Sequence, residues 1–205
     1  MIVAVFAGWM IGNNMSRERA KEPVTVATGT PSVVTKLVPI TAATPTLASP
    51  NLNRPIKVLT KLPDQIVATA VQRIKELAVE LRKSPDLHDS WLDLALSRKL
   101  IGDYDAAEEI WIYMTQKWIN DATAYNNLAD LYLVVRHDNA RAEIYLLRAI
   151  EKNPTQVMFY ENAYSFYRFV KKDLAKAEQI LNKGIARNPS NVEGLKKFLA
   201  DLKAI

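Results

Sequence analysis

Residues 123–154 read TAYNNLADLYLVVRHDNARAEIYLLRAIEKNP and carry the clearest structural signal in the chain. Their apolar residues recur at three- and four-residue spacings on both sides of a short polar break, a pattern typical of two amphipathic helices joined by a turn. Asp138 can accept hydrogen bonds from the free N–H groups that open the second helix. Pro154 ends that helix, because the residue before a proline disfavours helical backbone.

The same features recur every 35 residues along the chain. The recurring sets are Asp103, Asp138 and Asp173; Ala107, Ala142 and Ala177; Ala149 and Gly184; and Pro154 and Pro189. Small residues let two helices approach closely, and a single helix pair cannot bury its apolar face alone, so neighbouring copies must stack. We therefore predict three stacked helix pairs, preceded by one helix over residues 64–83 and followed by a capping helix over residues 191–205.

These residues resemble the tetratricopeptide repeat, which combines Trp-x2-Leu-Gly-x2-Tyr in a first helix with Ala-x3-Phe-x2-Ala and Pro in a second. The matching residues are Trp91, Leu94, Tyr104, Ala107 and Trp111 in the first copy, and Tyr125, Leu128, Ala129, Tyr132, Ala142, Ala149 and Pro154 in the second. The chain departs from the family pattern where Ala163 and Tyr164 reverse the large–small order, and where Ile119 replaces a proline.

The period of 35 residues exceeds the family's usual 34. We therefore expect one residue to be added at the turn between the two helices of a pair. The resemblance covers residues 64–205 and implies an all-α fold, an α-solenoid of about three tetratricopeptide helix pairs with a leading helix and a C-terminal capping helix.

Residues 1–63 differ from the rest in composition. Residues 1–12 carry no charge and are too few to span a bilayer alone, which takes about 20 apolar residues. We interpret residues 1–14 as a truncated membrane anchor or, alternatively, as an apolar tail that packs on a partner. Residues 15–63 contain seven of the ten prolines, and prolines disfavour helix. We therefore predict a disordered Pro/Thr/Ala-rich linker there and a helical repeat domain over residues 64–205.

The net charge of +5 does not indicate a nucleic-acid partner. Residues 1–63 hold seven Lys/Arg and two Asp/Glu, whereas residues 64–205 hold twenty of each; a nucleic-acid-binding domain usually carries its own basic face. The chain has no cysteine, and its two histidines, His88 and His137, lack carboxylates at metal-ligand spacing. No catalytic or phosphate-binding motif occurs. We expect no enzyme activity, cofactor, metal or small-molecule substrate.

The resemblance also implies a binding surface, because the first helices line the concave groove in this family. The implied groove residues are Leu92, Leu96, Lys99, Asn126, Asn127, Asp130, Leu133, Glu161 and Arg168. Some family members clamp a C-terminal carboxylate in this groove. Asn127 matches that clamp, but Leu92 and Leu96 stand where it needs Lys and Asn, so we expect a helix or an extended peptide instead. Trp118 and Phe159 lie outside the repeat register and are candidates for exposed positions.

The predicted function is a non-catalytic scaffold that binds a partner protein or peptide in this groove. We expect residues 1–14 to tether it to a membrane, with the repeat domain outside the cytoplasm. Two alternatives stay open: a soluble, cytoplasmic adaptor, and an accessory subunit whose enzyme lies on another chain.

Overall fold

The structure, a computed structural model, describes residues 47–188 and 191–204. These residues form eight α-helices and no strand, which confirms the predicted all-α class. The helices are α1 (Asp64–Lys83), α2 (His88–Leu100), α3 (Tyr104–Lys117), α4 (Ala122–Val134), α5 (Asn139–Lys152), α6 (Val157–Ser165), α7 (Leu174–Arg187) and α8 (Glu193–Lys203). A π-helical segment, Phe166–Lys171, continues α6. Each helix packs against the next along the chain.

Tight turns join α2 to α3, α4 to α5, and α6 to α7. Each turn contains one residue with left-handed backbone: Gly102 (φ 82°), His137 (φ 53°) and Lys172 (φ 54°). These three residues are spaced by 35 residues, so the turn geometry repeats with the sequence. His137 is exposed and lies in the second of these turns.

An aspartate follows the left-handed residue in each turn. Asp138 accepts a hydrogen bond from the N–H of Arg141 at 3.0 Å, and Asp173 accepts one from the N–H of Lys176 at 2.9 Å. Both aspartates thus cap the helix that they precede, as the sequence predicts. Asp103 makes no such bond to α3, because its carboxylate is used by a buried arginine described below.

The extra residue of the 35-residue period lies in the second and third turns. The N–H of Asp138 bonds to the carbonyl of Tyr132, six residues earlier, and the N–H of Asp173 bonds to that of Tyr167, both at 2.9 Å. The equivalent bond from Asp103 reaches back only five residues. One residue is therefore added at these two turns, as predicted, and at the third turn the wider backbone coil forms the π-helical segment.

The helices meet at small residues. The three alanines that recur on the second helix of each pair are fully buried: Ala107, Ala142 and Ala177. At Gly184 of α7 a β-carbon would lie 2.7 Å from Leu195 Cδ1 and 2.8 Å from Tyr160 Cγ. Carbon atoms in contact normally lie about 3.5–4.0 Å apart, so α6 and α8 leave room only for glycine at this position.

Neither of the two aromatic residues outside the repeat register is an exposed residue. Phe159 is only 3% exposed, so the expectation of an exposed position is wrong for this residue. Trp118 is half-buried, and its ring lies edge-on to the His88 ring at a centroid distance of 5.0 Å.

Residues 47–63 form no helix, yet they are not a free linker. Pro50 is buried, and the N–H of Leu59 donates to the carbonyl of Ile101 at 2.8 Å. The predicted disordered linker over residues 15–63 therefore does not hold for this part. Its remainder, the apolar residues 1–14 and Pro189 lie outside the described residues. Among the described helices, none has the length and apolar content that crossing a bilayer requires.

Replacing His137 with glycine is expected to stabilise the protein by about 0.5–1 kcal/mol. A side chain on left-handed backbone costs roughly 1–2 kcal/mol, and the greater freedom of glycine in the unfolded chain offsets part of the gain. Urea unfolding followed by circular dichroism measures the change.

Gly102→Ala, at the equivalent position of the first turn, is the matched control. An alanine at this position would still need left-handed backbone, and its β-carbon would lie 2.9 Å from Thr60 Cγ2. This variant is therefore expected to lose stability. A His137→Gly protein that unfolds at a lower urea concentration than the parent contradicts the proposed strain in the turn.

Candidate functional site

Side-chain contacts join α2, α4 and α6 directly, although these helices are not consecutive. Lys99 of α2 forms an ion pair with Asp130 of α4. Asn162 of α6 donates through Nδ2 to Oδ1 of Asn126 in α4 at 2.9 Å. These contacts place the first helices of the three pairs side by side. We call the surface that they share the first-helix face.

The predicted groove residues on this face differ in accessibility. Three of them, all on α4, are nearly buried: Asn126 and Asp130 are 8% exposed and Leu133 is 9% exposed. The polar side chains of Asn126 and Asp130 bond to the neighbouring first helices. These two residues therefore hold the helices together and are little available to a partner. The remaining groove residues are half-buried, except for Leu96, which is 41% exposed: Leu92, Lys99, Asn127, Glu161 and Arg168.

An apolar ladder on the first-helix face was missed from the sequence. It consists of Leu100, Val134 and Phe169, at equivalent positions near the end of each first helix. Leu100 is 47% exposed and Phe169 is 49% exposed, whereas Val134 is half-buried. The sequence did contain a signal for the ladder, because its three residues are spaced by 34 and 35 residues, close to the period of the repeat. Exposed apolar residues grouped on one side are typical of a contact surface for another protein.

Two charged groups, on α6 and on the π-helical segment that continues it, lie on the same face. Burial raises the pKa of Glu161, and no hydrogen bond or ion pair of its carboxylate is found among the described residues. Arg168 donates to the hydroxyl of Tyr164, and its guanidinium lies 5.1 Å from the centroid of the Phe169 ring. The Glu161 carboxylate is partly shielded from solvent and has no partner among the described residues. A partner protein that placed a cation or a hydrogen-bond donor beside it would offset the cost of this burial.

A second surface, at α2 and the first turn, is covered by the chain segment that precedes α1. Residues 50–60, which we call the strap, are held by Arg98 of α2, whose side chain is buried. Its Nη1 donates to Oδ2 of Asp103 at 2.7 Å and to the carbonyl of Pro55 at 3.0 Å, and its Nη2 donates to the carbonyl of Arg54 at 3.0 Å. One buried guanidinium therefore fixes both the first turn and the strap.

Arg98 occupies a position that is tyrosine in the other copies. There, Tyr132 donates its hydroxyl to Glu108, and Tyr167 donates its hydroxyl to Glu143 at 2.8 Å. A guanidinium offers five donors where a tyrosine offers one, so arginine can reach the backbone carbonyls of the strap as well as an aspartate. Arginine in place of tyrosine at this position therefore allows the first copy to bind the strap.

Gly102 serves the same purpose in the first turn. A β-carbon there would lie 2.9 Å from Thr60 Cγ2 and 3.1 Å from the carbonyl carbon of Leu59. The equivalent turn residues, His137 and Lys172, carry full side chains. The strap thus depends on two residues that depart from the repeat.

His88 links the start of α2 to the start of α4. Its Nε2 lies 3.0 Å from Oδ2 of Asp121, and its Nδ1 lies 2.8 Å from Oδ1 of Asp89. Burial lowers the pKa of His88, but hydrogen bonds to the two carboxylates raise it, and the net shift is upward. Asp121 also caps α4 by accepting from the N–H of Thr123. No cluster of three or more potential metal ligands is found in the part of the chain that the structure describes.

A scan against protein-family models finds no match to the chain, and a search of curated protein sequences finds none either. The geometry of the first-helix face therefore carries the functional proposal.

Replacing Arg98 with methionine is expected to lower the free energy of unfolding by about 3–5 kcal/mol, because Asp103 would be left as a buried, unpaired charge. The strap should also detach, so the Leu59 N–H should exchange with solvent much faster. Urea unfolding and amide hydrogen exchange measure the two effects.

Arg82→Met is the control, since Arg82 also bonds to the strap, at the carbonyl of Leu52, but is exposed. Arg82→Met should lower the free energy of unfolding by no more than about 1 kcal/mol. Unchanged protection of Leu59 in the Arg98→Met protein contradicts the role given to the strap.

Proposed function

We propose that the protein is a non-catalytic scaffold that binds a partner protein or peptide on the first-helix face. The observation that carries this proposal is the apolar ladder, whose Leu100 and Phe169 are exposed, together with Leu96 and the unpaired carboxylate of Glu161. A folded chain gains nothing from exposing such residues together, but a partner that covers them gains apolar burial and one compensated charge.

The proposal includes an α-solenoid of tetratricopeptide helix pairs. Equivalent contacts between successive pairs support it. Tyr132 bonds to Glu108 between the first two pairs, and Tyr167 bonds to Glu143 between the next two, so donor and acceptor are each shifted by 35 residues. The recurring left-handed turn residues support the same architecture.

The partner suited to this face is an amphipathic helix or an extended peptide. Leu96 and the ladder residues offer apolar contacts, whereas a carboxylate clamp would need cationic and amide groups at the positions of Leu92 and Leu96. A membrane tether through residues 1–14, with the helical domain outside the cytoplasm, remains part of the proposal on the strength of their composition. A soluble cytoplasmic adaptor and an accessory subunit of an enzyme complex are its alternatives.

Photo-crosslinking in the cells of origin tests the binding face. A p-benzoylphenylalanine placed at Phe169 is expected to crosslink one discrete protein. The same probe at Ile144, an apolar residue of α5 that is 57% exposed, is the matched control and should not. Adding Leu96→Glu should reduce the crosslink by at least about tenfold, because a carboxylate in an apolar contact costs well over 1.4 kcal/mol.

Circular dichroism should show that Leu96→Glu leaves the fold unchanged, since the side chain is exposed. Equal crosslinking from positions 144 and 169, or a crosslink insensitive to Leu96→Glu, would count against the first-helix face.

A further inference from the structure

An open cleft lies between the first half of α1 and the end of α2. Its lining includes Ile66, Thr69 and Ala70 from α1, and Ser97 and Leu100 from α2. Ile66 is 44% exposed and Leu100 is 47% exposed, so the apolar side chains that line the cleft are accessible from solvent. Neither the strap nor the capping helix α8 contributes to its lining.

The cleft forms where one repeat position carries a small residue. Ser97 has counterparts at the two following junctions, which are Leu131 and Phe166. Leu131 and Phe166 are both 0% exposed. Each later junction therefore has a large apolar side chain at the position of Ser97. Since protein interiors are close-packed, a serine there leaves space for a side chain of that size.

We propose that this cleft is an anchor pocket for one leucine or phenylalanine side chain of the partner protein. The inference rests on the proposed function and gives it a specific contact. The occupant is apolar and bulky because the counterparts Leu131 and Phe166 fill the equivalent place from within the chain.

The partner that covers the first-helix face is the occupant, because Leu100 belongs to both surfaces. It lines the cleft and begins the apolar ladder, so a single partner segment can fill the cleft and continue along α4 and α6. A polar rim fixes the edge of the pocket, where Arg73 pairs with Asp93 at 2.6 Å. Buried anchor residues surrounded by such a rim supply most of the binding energy in protein interfaces.

Titration with toluene, the side-chain analogue of phenylalanine, tests the pocket. In the full-length protein labelled with ¹⁵N, the amides of Ile66, Ala70 and Leu100 are expected to shift in a saturable way, with an apparent Kd of about 1 mM. Ser97→Leu supplies the missing side chain from within, as in the other copies, and should raise that Kd at least tenfold. Ser90→Leu is the matched control on the same helix and should leave the Kd unchanged.

Absence of a saturable shift, or equal shifts in the Ser97→Leu protein, overturns the pocket. A parent protein that dimerises in sedimentation equilibrium, and loses the dimer on Ser97→Leu, also overturns it, because a second copy would then be the occupant. Toluene binding needs no partner. Failure of the crosslink at position 169 therefore rejects the proposed function, whereas failure of toluene binding rejects only the pocket.

Discussion

The close approach of helices at small residues is the constraint on which the rest of the structure depends. Gly184 shows it most clearly, because a β-carbon there would meet both Tyr160 of α6 and Leu195 of α8. The buried alanines of α3, α5 and α7 occupy the corresponding contacts within each pair. Each helix packs on the next, so the spacing of these residues sets the register of the turns. The turns place α2, α4 and α6 side by side, where side-chain contacts join them.

The first copy departs from the repeat at the positions where it holds the strap and where it forms the cleft. Arg98 replaces a tyrosine and holds the strap, and Gly102 replaces a side-chain-bearing turn residue and lets the strap pass. Ser97 replaces a large apolar residue and leaves an open cleft. Such substitutions are more informative about function than the repeated residues, which report only on packing.

The helices and their turns could be predicted from the sequence because they depend on local signals: apolar spacing, aspartates before helices and a fixed period. The strap could not, since its hydrogen bonds join residues far apart in the sequence, such as Leu59 and Ile101, and leave no periodic trace. The resemblance to the tetratricopeptide repeat implies that the first helices line a groove, but it does not show how deeply each residue is buried. Asn126 was therefore expected in an open groove, although its bond to Asn162 places it in the packed interior.

Urea unfolding of Gly184→Ala beside Gly194→Ala tests the packing constraint most directly. Alanine in place of glycine inside a helix usually stabilises by about 0.8–1 kcal/mol. At Gly184 we instead predict a loss of about 1–3 kcal/mol, because α6 and α8 must move apart to admit the methyl group. At Gly194 of α8 the nearest atom is a flexible one, Oε1 of Glu161 at 3.2 Å, and no loss is expected. A Gly184→Ala protein as stable as its parent would contradict the close approach on which this fold depends.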